Sequence, residues 1–345
     1  MESKKTPFVK NKALIVLGVL IAVLIFLCFS YWYLIQCEGK WSGEPLEKKG
    51  EFNLGKIQEE LESDVALIQG LGPRNAMSNN NYIQLLKCEA WMEQRWKSQG
   101  YTVKRHTFSV DGREYSNLEL EIRGRVSPSE IIIVSAQYDT LPDSPGANNN
   151  GSGMAILFGL SSLLRNFLPD RTIRLMEFVN EEDPFFGTEK MGSYQYAKRC
   201  RQQGEDIRIM LSLDALGIYK NETGSQNLPL PFSMFYPDRG NFLAFIGNLS
   251  SRRYMIEATR GFKKGSSFSI QVGVVPEWVK AADWSDHRSF WQFGYPGIMV
   301  IDTGGFRSPY HTTKEDTMEK LNFEAMSHIV IGMYTCAVDL TSLQK

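Results

Sequence analysis

A long apolar run near the N-terminus is the strongest hydrophobic feature of the chain. Residues 13–35 carry no charge and are rich in Ala, Val, Leu, Ile and Phe. Because a helix rises 1.5 Å per residue, about 20 such residues cross the hydrocarbon core of a bilayer. The run therefore predicts one membrane-spanning helix, which we assign to residues 13–36.

The residues that flank this run indicate how it would be oriented. Aromatic residues that suit a membrane interface close the run, and lysines precede it: Tyr31, Trp32 and Tyr33 at its end, and Lys4, Lys5, Lys10 and Lys12 before it. The positive-inside rule then makes residues 1–12 a cytoplasmic basic tail and places the rest of the chain on the extracytoplasmic side. A cleavable signal peptide is the alternative, but its apolar part is only about 7–15 residues long and ends in small residues. We therefore expect a single-pass signal anchor, followed by a linker over residues 37–53.

Beyond the linker, helical and strand patterns alternate along the chain. The run 131–136 is continuously apolar, which is typical of a strand buried on both faces. The pattern predicts helices at 54–71, 82–99, 153–167, 191–201 and 323–340, and strands at 101–108, 118–123, 131–136, 172–179, 207–213 and 297–301. This alternation predicts one α/β domain over residues 54–345. Its fold class is a three-layer sandwich with a mixed, mostly parallel central sheet.

Composition excludes some classes of function. The chain has 345 residues, 43% of them apolar and 22% charged, and a net charge of −1. These values are ordinary for a globular protein, and nothing in them favours binding to nucleic acid. None of the five cysteines lies in a closely spaced pair, so the spacing does not favour a cysteine-based zinc site, while one structural disulfide remains open.

Polar clusters follow the predicted strands directly. They occupy residues 137–140, 145–153, 180–183, 213–214 and 310–312. In a mostly parallel sheet, ligands bind outside the carboxyl ends of the strands. The clusters should therefore meet at one edge of one sheet.

The order and spacing of these clusters resemble the co-catalytic zinc aminopeptidases of the bacterial and vacuolar type. That family also contains glutaminyl cyclases, the transferrin receptor ectodomain and nicastrin. The resemblance covers residues 54–340 and includes Gly72-Pro73-Arg74, Ser285-Asp286-His287 and the segments 236–242 and 294–300. It implies the zinc-exopeptidase fold and a site that holds metal.

The resemblance also implies a role for each site residue. Glu181 matches the general base that activates a water molecule, and Glu182, Asp214 and His311 match metal ligands. Asp139 matches the carboxylate that orients a histidine ligand, and we expect Asp286 and His287 to lie behind the ligands.

Two ligand positions depart from the family pattern. Gln137 occupies the place of a histidine ligand, and Asn149 that of the aspartate that bridges both metals. Zinc prefers imidazole, thiolate and carboxylate to a neutral amide oxygen. The change at 149 also removes a negative charge from between two dications. We therefore expect at most one weakly bound zinc ion, or none.

Three hypotheses follow from these positions. The first is a non-catalytic outer domain that keeps the peptidase fold to bind a peptide or protein ligand. The second is an active mono-zinc aminopeptidase in which Glu181 deprotonates a metal-bound water. The third is an acyltransferase or cyclase of the glutaminyl cyclase kind. The missing bridging aspartate argues against it as it does against the aminopeptidase.

Overall fold

A computed structural model describes residues 7–35, 37–280 and 282–343. Residues 1–6 of the predicted basic tail lie outside these described residues, as does residue 36 at the end of the predicted anchor. Residues Pro7–Ile35 form one helix, α1. Its described apolar side chains are exposed from Leu14 to Phe26. Among the described residues, no helix combines the length and the apolarity that a membrane crossing requires. The anchor remains a prediction.

The remaining elements alternate as the sequence predicts, with additions in the second half. The helices are α2 (Leu54–Gly70), α3 (Asn79–Ser98), α4 (Gly153–Leu164), α5 (Gly192–Gln203), α6 (Arg252–Gly265), α7 (His287–Gln292) and α8 (Phe323–Thr341). The strands are β1 (Val103–Val110), β2 (Arg113–Ile122), β3 (Ser127–Gln137), β4 (Arg171–Phe178), β5 (Asp206–Asp214), β6 (Leu243–Gly247), β7 (Ile270–Val274) and β8 (Gly297–Ile301). The sequence did not predict β6, β7, α6 or α7.

The strands form one eight-stranded sheet in the order β1-β2-β4-β3-β5-β8-β6-β7. The central pairs β4–β3, β3–β5 and β5–β8 are parallel, as is β6–β7 at the edge, whereas β1–β2, β2–β4 and β6–β8 are antiparallel. The sheet is therefore mixed and mostly parallel. The carboxyl ends of β3, β4, β5 and β8 share one edge.

Helices cover both faces of the sheet and give the three predicted layers. Ile132 and Val134 of β3 pack on the face that carries α2, α4, α6 and α8. Ile131 and Ile133 point to the other face, where α5 and α7 pack. Because side chains of a strand alternate between faces, this continuous apolar run is buried on both faces of the sheet, as its pattern predicted.

The predicted linker packs against the domain instead of standing away from it. We call residues 37–49 the strap. Gly39 N donates to Thr259 Oγ1 at 2.7 Å, and a Cβ atom at Gly39 would lie 2.2 Å from Ile256 O, so that only glycine fits against α6. Glu47 accepts hydrogen bonds from Ser267 N at 2.6 Å and from His328 Nδ1 of α8 at 2.8 Å. These contacts tie the strap to two helices of one face.

Candidate functional site

The carboxyl edge of the sheet gathers most of the residues singled out from the sequence. Gln137 and Asp214 are the last residues of β3 and β5. Glu181 and Glu182 follow the end of β4, and Asn149 lies in the short helical segment Ala147–Ser152 that precedes α4. Parallel pairing of β3 with β4 and β5 brings these side chains together, as the strand-end rule predicted.

Asp139 holds the backbone of the glutamate pair. Its Oδ1 accepts a hydrogen bond from Glu181 N at 3.0 Å, and its Oδ2 accepts one from Glu182 N at 3.0 Å. Burial raises the pKa of Asp139 to about 6, although these two N–H groups oppose the rise. Asp139 therefore fixes the backbone position of both glutamates. In the described contacts it orients the backbone of that loop and makes no contact with an imidazole.

Gln137 lies at the centre of the carboxylates and is fully buried. Its Nε2 lies 3.3 Å from Asp214 Oδ1 and 3.5 Å from Glu181 Oε2. Its Oε1 accepts a hydrogen bond from Asn150 Nδ2 at 2.6 Å. The amide therefore turns its N–H groups toward the carboxylates and engages its oxygen elsewhere.

Asn149 behaves in the same way toward the second glutamate. Its Nδ2 donates to Glu182 Oε1 at 2.5 Å. Its backbone N–H and that of Asn148 donate to the two oxygens of Asp316, at 3.0 and 2.8 Å. The loop is thus held by Asp316, and the Asn149 side chain faces Glu182 with a donor.

The carboxyl groups of the site are costly to ionise in this arrangement. Burial raises the pKa of Glu181 well above its usual range, and the nearby Asp214 and Glu182 raise it further. Burial, with Asp139 and Asp214 close by, does the same to Glu182. Burial also raises the pKa of Asp214 to about 7, against hydrogen bonds from Ser285 and Gln137. Neutral amides offset these effects only in part, because they supply dipoles and no positive charge.

The three other predicted site residues differ in placement. Asp286 is fully buried and close enough to Glu181 to raise its pKa. His287 is the buried first residue of α7, where its Nε2 pairs with Ala282 O at 2.8 Å and its ring packs edge-on to Trp291. His311 packs against Gly304. Burial lowers the pKa of His311, and the negative charge of the nearby Asp316 opposes that lowering. No described contact joins His311 to Glu182 or Asp214.

Two aspartates near the site were missed from the sequence. Asp316 holds the loop of Asn149. Asp302 accepts hydrogen bonds from Asn148 Nδ2 at 3.0 Å and Ile218 N at 2.9 Å. Asp302 directly follows β8, so the strand-end rule could have found it. No signal in the sequence separates Asp316 from an ordinary loop aspartate.

The donor set does not fit a pair of zinc ions. Gln137 and Asn149 occupy the two positions that depart from the family pattern. The groups that they turn toward the carboxylates are amide N–H donors, which cannot ligate a cation. Among the residues that the structure describes, no three His, Cys, Asp or Glu side chains group closely enough to hold a metal ion.

An apolar cavity lies beside this site. Phe242 and Val272 line its wall, with Ile301 at the end of β8, and Thr303 and Phe306 beyond that strand. Ile301 pairs in register with Asp214. The cavity therefore adjoins the carboxylate cluster across one strand spacing.

Comparisons with known proteins agree with this architecture. The model of Peptidase family M28 matches residues 117–336. The uncharacterized protein YfbL of Escherichia coli is 30% identical over 287 residues, which cover 80% of this chain and 86% of that protein. A probable zinc metalloprotease of Pyrenophora teres is 24% identical over 206 residues, 54% of this chain and 42% of its own length. The chain thus spans less than half of that relative.

Solved structures show the same fold. The LapA aminopeptidase of Legionella pneumophila superposes with a TM-score of 0.66 at 16% identity, covering 89% of this chain and 79% of that one. The glutaminyl cyclase of Fimbriiglobus ruber superposes with a TM-score of 0.58 at 17% identity, covering 89% and 98%. These similarities confirm the zinc-aminopeptidase-like α/β fold predicted from the sequence.

Proposed function

The chain belongs to peptidase family M28, and on that premise we propose that it is a membrane-anchored member whose outer domain binds a peptide or protein ligand without zinc-dependent hydrolysis. The observation that carries this proposal is the direction of two amides. Gln137 Nε2 faces Asp214 and Glu181, and Asn149 Nδ2 faces Glu182. Each amide supplies a hydrogen-bond donor where the family pattern has a metal ligand.

The same geometry supports a ligand with a positively charged end. The carboxyl groups of Glu181 and Asp214 are buried, Glu182 is partly buried beside them, and none of the three forms an ion pair within the part of the chain that the structure describes. The ammonium group of a peptide N-terminus would supply a cation that the chain does not. The neighbouring apolar cavity would accept an apolar side chain of the same peptide.

The membrane anchor belongs to the proposal because α1 presents an apolar surface to solvent. Its described apolar side chains between Leu14 and Phe26 are 48–68% exposed. Such an extended apolar surface is unfavourable in water and suits a bilayer. Exposed apolar residues in the helix and lysines before it together support a single-pass topology with the domain on the extracytoplasmic side.

Metal analysis of the full chain, purified in mild detergent without chelator, tests the proposal. We expect the wild type to retain no stoichiometric zinc and to leave aminoacyl reporter substrates intact. The double variant Gln137→His with Asn149→Asp should regain zinc, because it returns an imidazole and a shared carboxylate to the site. Each single variant is the matched control and should bind zinc less well than the double variant.

The alternative, a mono-zinc aminopeptidase, predicts the opposite result. It requires about one zinc per chain in the wild type and hydrolysis that Glu181→Gln abolishes. The retained cluster of Glu181, Glu182 and Asp214 is the feature that favours it. That result would replace the non-catalytic proposal.

A further inference from the structure

A group of large apolar side chains stands exposed beside the apolar cavity. We call Leu230, Met234, Phe235 and Trp278 the apolar rim. Their relative exposures are 76%, 70%, 49% and 82%. Single exposed apolar residues are common on protein surfaces, but a contiguous group marks a site that binds another apolar surface.

The rim lies along β7, the outermost strand at one end of the sheet. Tyr236, which follows Phe235 in the chain, donates its hydroxyl to Val272 O of β7 at 3.0 Å. Trp278 comes four residues after the last residue of β7, and Val279 lines the cavity together with Val272. Two separate loops thus bring the rim to the same strand.

The chain leaves α1 at this same strand. α1 lies beside β7, and the strap residues Glu38 and Trp41 line a cleft with Ile270, the first residue of β7. Between them, Gly39 N donates a hydrogen bond to Thr259 Oγ1, which holds this part of the strap against α6. The rim and the end of the predicted anchor therefore flank one edge of the domain.

We infer that the apolar rim rests in the interfacial layer of the bilayer that α1 enters. This inference depends on the proposed anchoring. Tryptophan is the side chain that interfaces favour, and the exposed Lys280 beside Trp278 can place its ammonium group among lipid phosphates while its methylene stem lies on the rim. The domain then lies with its β7 edge on the membrane, and the cavity wall formed by β7 is next to lipid.

A site-directed fluorescence experiment on the full chain in vesicles tests this placement. Leu230→Cys and Trp278→Cys each receive a polarity-sensitive NBD label in a Cys28→Ser background, because the described cysteines Cys37, Cys88, Cys200 and Cys336 are buried. The matched control is Leu168→Cys, at a residue 62% exposed in the turn before β4. The vesicles are phosphatidylcholine with or without doxyl-labelled lipid.

The doxyl lipid should quench the labels at positions 230 and 278 several-fold more strongly than the label at 168. Equal quenching at all three positions in vesicles that carry the protein would overturn the inference and leave the anchor intact. A full chain that fails to float with the vesicles would overturn both. Blue-shifted labels that lipid does not quench, and that lose the shift when the protein is diluted among vesicles, would overturn the inference by assigning the rim to a second copy of the chain.

Discussion

Buried carboxyl groups meet different partners in the strap and in the candidate site. Glu47 of the strap is buried, but hydrogen bonds from His328 and Ser267 outweigh the effect of burial and lower its pKa to about 2. Asp214 in the site is also buried, has serine and amide donors, and its pKa rises to about 7. His328 supplies a titratable cation to Glu47 at the strap, whereas no cation among the described residues acts on Asp214 in the same way.

This difference distinguishes a carboxylate that stabilises the fold from one that is kept at a cost in stability. At the strap, the charged form stabilises the fold because its partners are in place. At the site, ionised carboxylates weaken the fold, and the protein keeps them nevertheless. A cluster that costs stability and is not compensated from within is typical of a binding site.

Removing the strap carboxylate should have the largest effect. Glu47→Ala leaves Ser267 N and His328 Nδ1 without their acceptor, so we expect a loss of about 3 kcal/mol in the free energy of unfolding. Urea unfolding at about pH 6 measures it. The matched control is Glu44→Ala in the same segment, where the side chain is exposed and the change should stay within about 0.5 kcal/mol. Equal losses would remove the contrast between strap and site.

Removing the site carboxylate should act in the opposite direction. The pKa of Asp214 is about 7 in the fold against 3.8 for the ordinary group, so ionisation lowers stability as pH rises between these values. Asp214→Asn, with chelator present, should therefore stabilise the protein by roughly 1–2 kcal/mol at about pH 8 and change little at about pH 4. Asp206→Asn, at the exposed start of the same strand, is the control. Destabilisation at pH 8 would show that the charge is compensated.

The strap pair should show its own pH window. The hydrogen bond and the charge of Glu47 raise the pKa of His328, so its contribution is complete below 6.5 and is lost as pH rises through the raised value. The lowered pKa of Glu47 makes the contribution complete above 4.5 and lost toward pH 2. His328→Gln should therefore cost about 1–2 kcal/mol between these limits and less above them. In a Glu47→Ala background the pH-dependent part should vanish.

Replacing the central amide should have the smallest effect. Gln137→Met keeps the volume but removes one of the two acceptors of Asn150 Nδ2, at 2.6 Å, and leaves the other, Leu213 O at 2.8 Å. The variant also removes the hydrogen bonds to Asp214 and Glu181, which are long, at 3.3 and 3.5 Å. We expect a decrease of about 1 kcal/mol in the free energy of unfolding, measured by thermal unfolding. A decrease as large as that of Glu47→Ala would mean that the amide is a structural substitute for the absent cation and would weaken the binding proposal.

The sequence predicted the sheet best where the strands are continuously apolar and buried on both faces. The predicted strand 297–301 coincides with β8, and the predicted strand 207–213 lies within β5. β6 and β7 were missed although they are as long as β8. Gln271 and Gly273 interrupt the apolar pattern of β7, and Ala244 and Gly247 weaken the strand propensity of β6. α6 was missed because its many basic residues conceal the stripe of Met255, Ala258 and Phe262 that it buries.

The site was predictable as far as strand ends determine position. Gln137, Glu181 and Asp214 converge because parallel strands end at one edge. The direction of each amide was not predictable, since it depends on which neighbours accept a hydrogen bond. The contact of Asp316 with the loop of Asn149 was also not predictable, because two loops far apart in the sequence meet there without periodicity.

The packed strap also limits how far the domain can move relative to α1. A flexible 17-residue linker would give a root-mean-square reach of about 20–25 Å. Hydrogen bonds from Gly39 to α6 and between Glu47 and its partners Ser267 and His328 remove most of that reach. We therefore expect the domain to stay at a nearly constant distance from α1, and the proposed ligand to be bound at that distance.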